Sequence, residues 1–137
     1  MSKASPSMIT TASEHAELAD RMAMLRGRFQ ACLDELHGQG GTADALSAAM
    51  LRTLATVRPD ELPLAAQTIW RERVARPLRA DGKTPLKPAA ISLVRSWPLS
   101  RVNNLLTALS EIETLLATAE NDARNEVIYA EISRAYS

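Results

Sequence analysis

The sequence predicts an all-α fold, a compact bundle of about five or six helices. Three observations lead there. Leucine-type residues recur at steps of three and four along most of the chain, and no segment alternates apolar and polar residues long enough to make a strand. Aromatic residues are only 4% of a chain that is 46% hydrophobic, so the core must be built from Leu, Ala, Val, Ile and Met, which is helix material. Glycines and prolines fall mainly between the periodic stretches and divide one helix from the next.

The 137 residues are the length of a single domain, large enough to bury one modest core without covalent staples. Residues 1–10 are small and polar and read as a disordered tail, which leaves 11–137 as the helical domain. Thr11 with Glu14 has the spacing of a capping box and would open the first helix. Leu18, Met22, Leu25, Phe29, Leu33 and Leu36 then share one stripe, with Gly27 leaving open one long helix or two shorter ones. Gly38-Gln39-Gly40-Gly41 ends this stretch, because glycine accepts the left-handed geometry of a helix C-terminus.

Thr42 caps the next helix, whose Leu46, Met50, Leu51, Leu54 and Val57 face inward until Pro59 stops it. Asp60 is positioned to cap a third helix with Pro63 in its first turn and Leu64, Ile69, Trp70 and Val74 on its apolar face. The stretch 76–87 holds Pro77, Gly82 and Pro85 and reads as a loop. Pro88 opens a short helix carrying Ile91, Leu93 and Val94. After Pro98 a strong stripe runs through Leu99, Val102, Leu105, Leu106, Leu109, Ile112, Leu115 and Leu116. Asn121 and Asp122 punctuate it, and a last helix holds Val127, Ile128, Ile132, Ala135 and Tyr136.

Sixteen basic residues balance 16 acidic ones, so no strong overall field points to nucleic acid. Cys32 is the only cysteine, which excludes an internal disulfide and a multi-cysteine zinc site. No apolar run reaches the roughly 18–20 residues of a membrane span, and the first residues lack the apolar stretch of a signal peptide. The expected compartment is the cytoplasm.

No catalytic, metal-binding or cofactor-binding set stands out. His15 and His37 have no histidine partner one helical turn away, and His37 beside a helix C-terminus suits the helix dipole. Cys32 lies on or beside the apolar stripe as a small hydrophobe. The glycines at 38–41 lack the lysine and preceding strand of a phosphate loop. Glu111 with Glu113, and Glu120 with Asp122, sit two apart on helices and face different ways. Arg71, Arg73, Arg76, Arg79, Lys83 and Lys87 form the densest basic cluster, either a solvated loop or a patch for an acidic partner or a phosphate backbone. Trp70 and Trp97 flank it and are expected to anchor its ends to the core.

Ile91 to Ile132, ISLVRSWPLSRVNNLLTALSEIETLLATAENDARNEVIYAEI, resembles the C-terminal helical domain of the bacterial DNA polymerase III delta subunit, a clamp-loader component. Arg95, Trp97 and Leu99 match its basic-aromatic element, Leu106, Leu109 and Glu113 its leucine-rich helix, and Val127 to Ile132 the apolar helix that follows a short linker. Upstream, Phe29 to Val57 looks like the helix, glycine turn and helix that begin that domain, and Pro85-Leu86-Lys87 stands for its Pro-aromatic-Lys element. Pro98 takes the place of the usual Ser and Ala117 that of a common Lys.

The resemblance implies a collar: a domain without chemistry of its own that packs against other subunits to hold a clamp loader together in DNA replication. A collar needs oily surface beyond its own core. The expected interface is Leu99, Val102, Leu106, Leu109, Ile128 and Ile132, with clamp-loader-like subunits or a second copy as partner. Arg71, Arg76, Arg79, Lys83 and Lys87 are the residues through which nucleic acid could be met directly. No enzyme activity, cofactor, small-molecule ligand or membrane contact is expected. The rival expectation is a stand-alone helical adaptor that binds one protein partner.

Overall fold

A computed structural model describes the backbone of residues 4–136 and, apart from Gln39, the side chains of residues 13–136. Five α-helices make up the described chain, joined by short stretches of tighter and wider helix, and no strand occurs among the described residues.

Helix α1 runs from Ala4 to Gln39 without a break. Residues 4–10, expected as tail, are therefore helical, while residues 1–3 lie outside the described ones. Thr11 is interior to the helix rather than its cap, and its side chain is among those not described. Pro6 is no obstacle there, because the first turn needs no N–H. Gly27 is passed in ordinary helical geometry, so the stripe belongs to one helix, and Ala19, Met22, Leu25, Phe29, Cys32 and Leu36 are buried along it. The helix closes as the glycines suggest. Gly40 and Gly41 adopt φ of 81° and 65°, and the Gly41 amide donates back to the Leu36 carbonyl at 3.2 Å.

Helix α2 (Ala43–Thr53) starts at Thr42, whose hydroxyl accepts from the Ala45 amide at 3.1 Å. Its Ala45, Leu46, Ala49 and Met50 are buried, and so is Ser47, whose hydroxyl donates to the Ile91 carbonyl at 3.1 Å. Helix α3 (Leu64–Ile69) begins after Pro63, not at Asp60, which lies in a separate 3₁₀ turn, Pro59–Glu61. The Gln67 side chain reaches back to donate to the Leu62 carbonyl at 2.7 Å and holds that entry. This later start rotates Leu64 outward, where it is 81% exposed rather than on the apolar face.

From Trp70 to Ala75 the helix widens to π geometry, then tightens to a 3₁₀ turn, Arg76–Leu78. The expected loop thus starts at Arg79, which takes left-handed φ and ψ of 58° and 32°. Leu78 and Leu86 are buried and pin its two ends. Helix α4 (Pro88–Ser92) continues as a 3₁₀ turn to Ser96; Ile91 and Val94 point inward but Leu93 does not.

Helix α5 (Leu99–Ala135) is the longest, and it passes through Asn121 and Asp122 where two helices were expected. Asn and Asp lower helix propensity by well under 1 kcal/mol each, so they do not break a helix that has a partner. The partner is α1, which lies antiparallel to α5. Val102, Leu105, Leu109, Ile112, Leu116 and Ala123 of α5 are buried in the seam, at the alternating three-and-four spacing of interlocking helices. Beside the expected break, Glu120 receives Arg26 of α1 at 2.9 Å, an ion pair too poorly aligned to count as a hydrogen bond, and Arg124 of its own helix at 3.0 Å. Helices α2, α3 and α4 pack around the half of this hairpin that contains Phe29 and Leu109, and one apolar cluster joins them all.

Candidate protein-docking surface

Burial along α5 fades away from the body. On α5, Leu116 and Ala123 are covered by α1, whereas no residue after Ala123 is fully buried among those described. Small side chains at Ala16 and Ala19 of α1 meet Val127 and Ile128 of α5 across a shallow groove that also takes in Asp20 and Arg124. Beyond it, Ile128, Tyr129, Ile132 and Tyr136 face solvent, with Tyr129 at 66% and Tyr136 at 89% exposure. Their spacing of three and four places Tyr129, Ile132 and Tyr136 on one face of the helix, and Ile128 stands one turn before Ile132. Water gains nothing from such a stripe, and tyrosine on an exposed helix face is typical of protein interfaces.

This surface is only partly the one expected from sequence. Ile128 and Ile132 belong to it. Val102 and Leu109 do not: both are fully buried, because α5 turns that side toward α1 and the body. Leu106 is half-buried and lines an open groove of about 550 Å³ with Leu33, Leu36, His37, Gly40, Gly41, Thr107 and Ser110. Leu99 is 67% exposed, but it starts the same helix that carries Ile128, roughly 40 Å away at 1.5 Å per residue. One patch cannot contain both. Tyr129 was not singled out from the sequence, although its spacing to Ile132 and Tyr136 is the signal that marks it.

The basic cluster divides in the same way. Arg73 is spent on Glu111 of α5. Arg71, Arg76, Arg79, Lys83 and Lys87 are exposed and make no ion pair among the described residues. Trp70 is wholly buried, edge-on to Phe29, and its indole N–H has no partner there. Trp97 is only half-buried, and the Arg101 guanidinium lies 4.9 Å over its ring, so it anchors one corner of the body rather than its centre.

Of the groups weighed for chemistry, Cys32 is buried, and burial pushes its thiol up to about 11, which leaves almost no thiolate at neutral pH. Glu111 and Glu120 are each engaged by arginine. Among the described residues no three His, Cys, Asp or Glu side chains come together in a way that could hold a metal ion. No described helix is long and apolar enough to cross a membrane.

The described residues form an all-helical bundle that exposes Ile128, Tyr129, Ile132 and Tyr136 at one end of α5. No protein-family model, curated protein or solved structure matches the chain.

Proposed function

We propose that the chain is a non-catalytic helical assembly domain, a relative of the clamp-loader delta collar, that serves DNA replication in the cytoplasm by joining protein subunits. The observation that carries this reading is the stripe Ile128, Tyr129, Ile132 and Tyr136, large apolar and aromatic side chains exposed at one end of α5 among the described residues. The nature of the partner rests on the resemblance of residues 91–132 to the delta domain. The test is to mix the full chain with purified clamp-loader subunits and follow it by size-exclusion chromatography with light scattering. Co-elution that is lost in Ile128→Ser/Ile132→Ser supports the reading. A chain that stays monomeric at high concentration and ignores those subunits overturns it.

One observation favours the stand-alone adaptor instead. Helix α5 is continuous through Asn121 and Asp122, whereas the delta domain has a linker between its last two helices. An adaptor would use the same stripe on a different protein. It would therefore fail to bind replication subunits while Ile128→Ser/Ile132→Ser still abolished capture of its true partner.

A further inference from the structure

We propose that a second face, built from Arg71, Arg76, Arg79, Lys83 and Lys87, binds the phosphate backbone of nucleic acid without regard to sequence. The zero net charge of the chain hides a strong asymmetry. Residues 71–101 carry eight basic and two acidic side chains, and residues 82–110 contain no aspartate or glutamate. Of the two acids, Glu72 is exposed beside Arg71, and Asp81 is exposed but engaged within its own loop. Its carboxylate accepts from the Lys83 and Thr84 amides at 2.9 and 3.0 Å and from the Thr84 hydroxyl. The five cations are exposed and make no salt bridge among the described residues, and only Lys83 has its charge partly offset, by the Asp81 carboxylate of its own turn.

The loop that carries them is held in place. Asp81 ties its turn, and Gly82, at φ 74°, lies against the stem of Arg71 so closely that an added Cβ would sit 3.1 Å from Arg71 Cγ. The Ala80 amide closes back onto the Ala75 carbonyl at 2.9 Å, fixing the left-handed Arg79. A backbone held in this way spares the loop the cost of ordering itself when an anion arrives, leaving only the side chains to settle.

The kind of polyanion follows from what the surface lacks. Between the buried Leu78 and Leu86, no large apolar side chain is exposed. A protein partner would need aromatic or aliphatic anchors at the centre of the contact, and a membrane would need apolar residues to insert. Bare cations around an ordered backbone suit phosphates, which are bound by charge alone.

The test uses the full chain and a labelled duplex of about 30 base pairs of arbitrary sequence, titrated by fluorescence anisotropy between 50 and 200 mM salt. Five phosphate contacts predict a log–log salt slope near −4.5, a loss of several hundred-fold in affinity over that range. Two doubles of equal net charge locate the site: Arg76→Gln/Lys83→Gln should flatten the slope by about 1.8, and Arg21→Gln/Arg28→Gln should leave it unchanged. Circular dichroism confirms that both are folded. The proposal falls if the wild type does not bind at 50 mM salt, or if the two doubles behave alike. It falls equally if anionic vesicles or polyglutamate bind and the duplex does not.

Discussion

Phe29 of α1 meets Trp70 edge to face, with ring centroids 5.9 Å apart and planes at 79°. Both side chains are fully buried, and they are the two largest in the core. In a chain so poor in aromatics, this pair joins the long hairpin to the α3 segment. Phe29→Ala should cost about 3–5 kcal/mol in urea unfolding, and Phe29→Leu well under half of that. The fluorescence of Trp70, read in a Trp97→Phe background, reports the same transition. An effect of Phe29→Ala below about 1 kcal/mol would show that the two segments do not share one core.

The two faces of α5 should respond oppositely to truncation. Leu109 is fully buried, so Leu109→Ala should cost roughly 2–5 kcal/mol. Ile132 is half-exposed at the far end, and Ile132→Ala should cost less than about 1 kcal/mol while weakening any complex formed through the stripe. Thermal melts of the two variants, followed by a binding assay, separate core from docking surface.

Cys32 predicts an alkaline limb in the stability curve. Its thiol ionises near 9.0 when the chain is unfolded and at about 11 when folded. Below pH 9 both states hold the proton and the group is silent. Between those values only the unfolded chain releases it, so stability falls as pH rises, by at most roughly 2–3 kcal/mol. Urea midpoints at pH 8 to 11 should show this decline in the wild type and less of it in Cys32→Ala. A thiol reagent should label native protein at neutral pH far more slowly than unfolded protein.

Two neighbouring backbone positions make a further pair of opposed expectations. Arg79 holds φ 58° with a side chain that resists it, so Arg79→Gly should raise stability by up to about 1 kcal/mol. Gly82→Ala combines a positive φ with close approach to Arg71 and should lower stability by about 1 kcal/mol or more. Differential scanning calorimetry of both variants checks the signs.

Helix identity was legible because the apolar spacing of Met22, Leu25, Phe29 and Leu36, and of Leu105, Leu109, Ile112 and Leu116, follows directly from what each face buries. The caps at Thr42 and at Gly40–Gly41 were legible too, since their chemistry is local. Boundaries that depend on partners were not. Asn121-Asp122 reads as a stop in isolation, and only α1 packing alongside carries α5 through it. The docking face was hidden for a related reason: the stripe around Leu99–Leu116 has enough apolar positions for two surfaces, and sequence alone does not say which side α1 takes. That choice buried Val102 and Leu109 and left Tyr129 in solvent.

The pairing of α1 with α5 also sets the order in which the molecule can be completed during synthesis. Ala19 and Met22 are made well before the α5 side chains that cover them, near Ala123 and Val127. Until that part of α5 emerges, this side of α1 must wait unshielded, exposed to chaperones and to neighbouring nascent chains. Closing so wide a loop is the entropic toll of pairing two helices so distant in sequence.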